Sequence, residues 1–145
     1  MQIPKYFSLK EMTATSQKLP NMPETWEEFS NLRDTALLLD ELREKFGQGI
    51  RITSGFRSAA VNAAVGGSKT SAHRKGMAAD IQPWKNTKKN MLELAAICRQ
   101  LVTSLSNPVD QVIIYTPDGK DTEDIKWIHI GFSPNPRHQL LFKKG

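Results

Sequence analysis

His73 and Asp80 stand seven positions apart in SAHRKGMAADI, separated by Arg74, Lys75, a glycine and small residues. A carboxylate taken out of water is costly unless a paired cation or a metal neutralises it. A second histidine, His129, lies far downstream in KWIHIGF. Together His73, Asp80 and His129 offer two imidazoles and one carboxylate. That set suits a tetrahedral zinc ion with one position open for water, at bond lengths of about 2.0–2.2 Å. Zinc held in this way lowers the pKa of its water to roughly 7 and polarises a carbonyl group. Spacing alone leaves the other reading open, a structural His–Asp hydrogen bond.

The elements that position these side chains follow from periodicity. In KWIHIGF, strand alternation puts Ile128, Ile130 and Phe132 on one face and Trp127, His129 and Gly131 on the other. In MAADI it puts Met77, Ala79 and Ile81 on one face, with Ala78 and Asp80 opposite. Each strand thus presents a metal-competent side chain next to a small residue, and His73 arrives from the glycine- and serine-rich loop GGSKTSAHRKG.

Two long helices are predicted. The first spans NMPETWEEFSNLRDTALLLDELREKFGQG, opened by Asn21 or Met22 before Pro23, with Phe29, Leu32, Ala36, Leu39 and Phe46 at helical spacing and Gly47 as the stop. The second spans NTKKNMLELAAICRQLVTSLS, with Asn86 or Thr87 as cap. IRITSGF, MAADIQP, DQVIIY and KWIHIGF read as strands, SAAVNAAV as a short helix and TPDGKDTEDI as a polar connector. This order predicts an α+β fold, a mostly antiparallel central sheet with helices packed on it.

At 145 residues the chain is long enough for one domain, 1–145, with a sizeable core. No apolar run reaches the ~18 residues of a membrane span. The start, MQIPKYFSLKEM, lacks the cationic and apolar regions of a secretory signal, which predicts a chain made in the cytoplasm. The single cysteine, Cys98, excludes an internal disulfide, and its helical spacing assigns it to the core. The net charge of +5 attracts polyanions. The basic residues are scattered and accompany no nucleic-acid motif, so no nucleic-acid partner is expected.

ITSGFRS, VNAAVGGSKTSAHRKGMAADI, DQVII and KWIHIGF resemble the zinc D-alanyl-D-alanine carboxypeptidase family. That M15-like group includes phage L-alanyl-D-glutamate endopeptidases and has the Hedgehog/DD-peptidase fold. Its motif SxHxxGxAxD is met by Ser71, His73, Gly76, Ala78 and Asp80, and its aromatic residue two before a histidine by Trp127 and His129. YFSLKEM and PRHQLL resemble the small single-domain members. The resemblance implies that His73, Asp80 and His129 hold zinc and that Arg57 stabilises the oxyanion of the scissile carbonyl. It further implies that Ser71 orients substrate or a ligand and that Trp127 walls the cleft. The implied activity is hydrolysis of a peptide bond in peptidoglycan stem peptides, by a monomer of endolysin type that reaches the wall after holin-mediated release or phage delivery.

One position departs from the family pattern. Where many relatives carry an acid three residues before the last zinc histidine, this chain has Lys126, which cannot accept a proton in its charged form. Where some small relatives carry Glu after the DQLI-like strand, it has Tyr115. The connector acids Glu123 and Asp124 are the candidates left for the general base. This departure motivates an alternative, a non-catalytic zinc-containing wall-binding or structural module. His138, outside the motif, is expected at the surface or on a substrate rim.

Overall fold

Ser8 and Glu11 form a capping box that fixes a one-turn helix not foreseen in the sequence, α1 (Leu9–Met12). Ser8 Oγ accepts from the Glu11 N–H at 3.1 Å, and Glu11 accepts from the Ser8 N–H at 3.2 Å. The computed structural model describes residues 2–145.

The first long helix follows as α2 (Trp26–Phe46), and Gly47 ends it in the left-handed conformation at φ 72°. Its start differs from the expectation. Thr25, rather than Asn21 or Met22, is the cap, accepting from the Glu28 N–H at 3.1 Å. Asn21 is engaged elsewhere: its amide donates to the Thr13 and Phe56 carbonyls, and its Oδ1 accepts from the Ser58 N–H at 2.7 Å. It therefore clamps the N-terminal arm onto the turn that carries Arg57. Phe29, expected in the core, is more than one-third exposed, whereas Leu32, Ala36, Leu39, Leu42 and Phe46 are buried.

Strand β1 (Ile50–Ser54), the short helix α3 (Ala59–Ala64) and strand β2 (Ala78–Pro83) come next, and then helix α4 (Lys88–Thr103). Thr87 is the cap of α4. The inward stripe of α4 is Met91, Leu94, Ala95, Cys98, Leu101 and Val102. Complete burial pushes the Cys98 thiol up to about 12, so it packs as a small apolar side chain. Strands β3 (Val109–Thr116), β4 (Trp127–Phe132) and β5 (Gln139–Lys144) complete the chain. Strand β5 was not expected, because three consecutive apolar residues, Leu140 to Phe142, hide its alternation.

The strands form one sheet in the order β1-β2-β4-β3-β5, antiparallel throughout except for the parallel pair β3·β5. One face packs Ile50, Ala79, Ile81, Ile128, Ile130, Val112 and Ile114 into the core that α2 and α4 cover. Burying each Leu or Ile of that core stabilises the fold by about 1.5–3 kcal/mol. The opposite face carries Asp80, His129, Trp127, Ile113 and Tyr115. Among the described residues, no helix is long and apolar enough to cross a membrane.

Candidate metal centre

Asp80 and His129 are direct cross-strand partners on β2 and β4. Alternation thus delivers both to one face, and the insertion of β4 beside β2 delivers them to one point. The loop before β2 brings the third residue. His73 Nε2 lies 3.2 Å from Asp80 Oδ1, His129 Nδ1 lies 3.1 Å from the same oxygen, and the two ring nitrogens are 3.2 Å apart. Both histidines are buried.

The His73 tautomer follows from its other nitrogen. Nδ1 lies 2.8 Å from the Gly55 carbonyl, which only accepts, so Nδ1 carries the proton and Nε2 turns a lone pair toward Asp80. A lone pair, a carboxylate oxygen and a second imidazole nitrogen therefore converge on one small volume. Such a group needs positive charge at its centre. Burial alone would raise the Asp80 carboxyl, but without a metal a hydrogen bond from His129 and, when its ring carries a second proton on Nε2, one from His73 outweigh it and hold the group well below the usual carboxylate range. A divalent cation bound to the same atoms meets the same need more strongly. The donor set fits zinc, whose tetrahedral ligands at about 2.0–2.2 Å lie roughly 3.3–3.6 Å from one another. The observed triangle is only slightly tighter.

Helix α2 holds the His73 loop in place. Thr35 Oγ1 donates to the Gly76 carbonyl at 2.6 Å, Asn31 Nδ2 donates to the Lys75 carbonyl at 3.0 Å, and Arg74 pairs with Glu28 at 3.0 Å. Burial opposes ionisation of Glu28, yet hydrogen bonds from the Glu24 N–H and Arg74 lower its pKa below the ordinary value. Gly76 has φ 80°, and a Cβ there would stand 2.9 Å from the Glu28 carbonyl oxygen. Gly76→Ala is therefore expected to cost about 1–3 kcal/mol of unfolding free energy, measured by urea denaturation, and to weaken metal binding as the loop shifts. An unchanged midpoint would mean that α2 yields at no cost.

Arg57 sits at the edge of the triad. Its Nη2 is 3.9 Å from Asp80 Oδ2, and its Nε donates to Ser54 Oγ at 3.3 Å. The Arg57 N–H donates to the His73 carbonyl at 3.0 Å, so arginine and ligand are tied to each other through the backbone. Ser71 turns its Oγ to the His73 N–H at 3.3 Å and thus shapes the ligand's own turn. Trp127 lies two positions from His129 on the same face and stacks on Tyr115, with ring centroids 4.4 Å apart.

Two of the connector acids are engaged with α4 rather than with this group. Glu123 pairs with Lys88, the first residue of α4, at 3.6 Å, and Asp121 pairs with Arg99 of the same helix. Asp124 is exposed. Lys126 extends its Nζ to the Gly145 carbonyl. The phenol of Tyr115 is raised above its ordinary pKa by burial and by the Asp80 charge, so it stays protonated at neutral pH. His138 meets the Val102 carbonyl of α4 at 3.1 Å, away from the triad.

Sequence reasoning missed Gly55 and Thr35. A backbone carbonyl leaves no trace in residue type. Thr35 did leave one: it is a polar residue between Leu32 and Leu39 on the inward face of a helix, and it is almost wholly buried.

No curated protein matches the chain. The family described as Peptidase M15 matches residues 5–107, a segment that contains Arg57, Ser71, His73 and Asp80 and ends before the strand bearing His129. Because the match spans more than two-thirds of the 145 residues, the chain belongs to the Peptidase M15 family.

Proposed function

We propose that this protein is a zinc-dependent peptidase that hydrolyses a peptide bond in the stem peptides of bacterial peptidoglycan. The observation that carries this reading is the convergence of His73, Asp80 and His129 on one point, with the Arg57 guanidinium beside it. Zinc bound there would supply Lewis acidity and an acidified water. The chain's own residues do the rest. Gly55 fixes the His73 tautomer, and Asp80 lends negative charge to the metal position. Arg57 presents fixed donors to the carbonyl oxygen as charge builds on it. Trp127 and Tyr115 form an aromatic wall against which the substrate chain lies. The net charge of +5 favours adsorption to anionic wall polymers, an effect that salt weakens. Release by a holin or delivery on a phage particle is the route to the wall that this reading entails.

Digestion of purified peptidoglycan, followed by mass spectrometry, tests the reading. The zinc-loaded protein is expected to release stem-peptide fragments that His129→Ala does not. Loss of D-alanine alone identifies a D,D-carboxypeptidase, and a new D-glutamyl amino terminus identifies an L-alanyl-D-glutamate endopeptidase. Intact stem peptides with the metal-loaded protein would overturn it.

One observation favours a second reading, a non-catalytic metal-containing module that binds the wall. Glu123 pairs with Lys88 of α4, Lys126 turns its Nζ to the Gly145 carbonyl, and the Tyr115 phenol is held protonated, so none of these three offers a carboxylate to the triad. Retention on insoluble peptidoglycan without release of fragments would select it.

A further inference from the structure

The turn from β1 into α3, residues 55–58, carries both Arg57 and the carbonyl that orients His73. Its backbone is engaged almost group by group. The Gly55 carbonyl meets His73 Nδ1 at 2.8 Å, and the Arg57 N–H donates to the His73 carbonyl at 3.0 Å. The Phe56 N–H donates to the Met12 carbonyl at 2.8 Å, and a Cβ on Gly55 would collide with that same oxygen. Two further groups, the Phe56 carbonyl and the Ser58 N–H, are both taken by the Asn21 side chain, at 2.9 and 2.7 Å.

Asn21 therefore grips the peptide units on either side of Arg57. It is buried, and its third bond runs to the Thr13 carbonyl at 2.8 Å. A carboxamide is the side-chain group that offers two donors and an acceptor from one short plane. An aspartate would keep the bond from Ser58 but turn an oxygen toward two carbonyls. The N-terminal arm has other ties of its own. Asp40 accepts from the Lys5 and Tyr6 N–H groups at 2.6 and 3.0 Å, and Phe7 and Met12 lie in the core. What Asn21 adds is a hold on both flanks of Arg57.

We propose that Asn21 is a positioning residue: it holds Arg57 against His73 and so sets the place of the guanidinium relative to the triad. The side-chain contacts of Arg57 are long, 3.9 Å from Nη2 to Asp80 Oδ2 and 3.3 Å from Nε to Ser54 Oγ. The guanidinium thus takes its place chiefly from the backbone that carries it. Rotation of either flanking peptide unit would carry it off the line to a carbonyl over the metal position. Misplacement by about 1 Å costs on the order of 10²-fold in rate. This inference rests on the peptidase reading for what Arg57 does, but not for the link from Asn21 to His73.

The test combines amide hydrogen exchange with kinetics on two variants, Asn21→Asp and the smaller Asn21→Ala, either of which suffices if the other does not fold. The Arg57 N–H is the informative probe, because its acceptor is the His73 carbonyl and not Asn21. It is expected to exchange about tenfold faster, beyond any change in the amides at the centre of β4. For zinc-loaded protein on a cleavable stem peptide, kcat should fall by about 10–100-fold, with KM within about twofold of the wild type. The same substitution added to Arg57→Ala should cost no more than about twofold, since its effect passes through the arginine. Arg57 exchange that merely tracks the β4 amides, a kcat near that of the wild type, or an undiminished loss in the Arg57→Ala background would each overturn the proposal. A wild-type protein that cleaves no stem peptide would overturn the peptidase reading instead, and the exchange rates alone would then decide the link from Asn21 to His73.

Discussion

Replacing Asp80 with asparagine is expected to reduce zinc affinity by roughly 10²–10⁴-fold, from about 3–5 kcal/mol lost when one member of a buried charged group is removed. The substitution keeps the shape of the side chain and its place opposite His129 but removes the charge. The two ring nitrogens then face an amide, whose oxygen is a far poorer partner for a dication and whose NH₂ group, if turned inward, opposes the metal directly. Competition with a chromophoric chelator, together with metal content after dialysis, measures the loss. Peptidase activity should fall in step with zinc content. Stoichiometric zinc retained at wild-type affinity would move the metal away from this triad altogether.

Arg57→Ala is expected to act on a different quantity. It should leave zinc content nearly unchanged, because the guanidinium approaches Asp80 Oδ2 only to 3.9 Å and is not one of the three converging donors. On a cleavable stem peptide, kcat should fall by about 10²–10³-fold, the usual consequence of removing one donor to a developing oxyanion. Arg57→Lys should restore only part of the loss, since an ammonium supplies the charge without the planar pair of donors. A kcat within a few-fold of the wild type would reduce Arg57 to a counter-charge for Asp80. Loss of zinc in Arg57→Ala would instead make the side chain a structural support, acting through its contacts with Asp80 and Ser54.

Much of this site is legible in the sequence because strand alternation is a strong constraint. Asp80 and His129 had to point away from Ile81 and Ile128, and they do. What alternation cannot reveal is which strands are neighbours. Strands β2 and β4 are adjacent although α4 and β3 lie between them in the chain, so the meeting of Asp80 with His129 is decided by tertiary packing. The start of α2 illustrates the same limit on a local scale. Asn21 has the right chemistry for a cap, but three long-range hydrogen bonds claim its side chain and Thr25 takes the role. Glu123 was a fair candidate as a base by distance along the chain, yet the connector turns it toward Lys88 and the helical side. Strand β5 went unread because its pairing with β3 is parallel and its apolar residues are contiguous.

The position of β4 also bears on how the protein is made. The central strand is the fourth of five to leave the ribosome, and it must enter between β2 and β3, closing a loop that began almost fifty residues earlier at Asp80. Contacts of such sequence separation form late and set the pace of folding. Until β4 docks, the nascent chain holds only His73 and Asp80, too few donors to keep a metal ion tightly. A metal ion held by the three residues proposed as its ligands would therefore be captured last, after the sheet is complete.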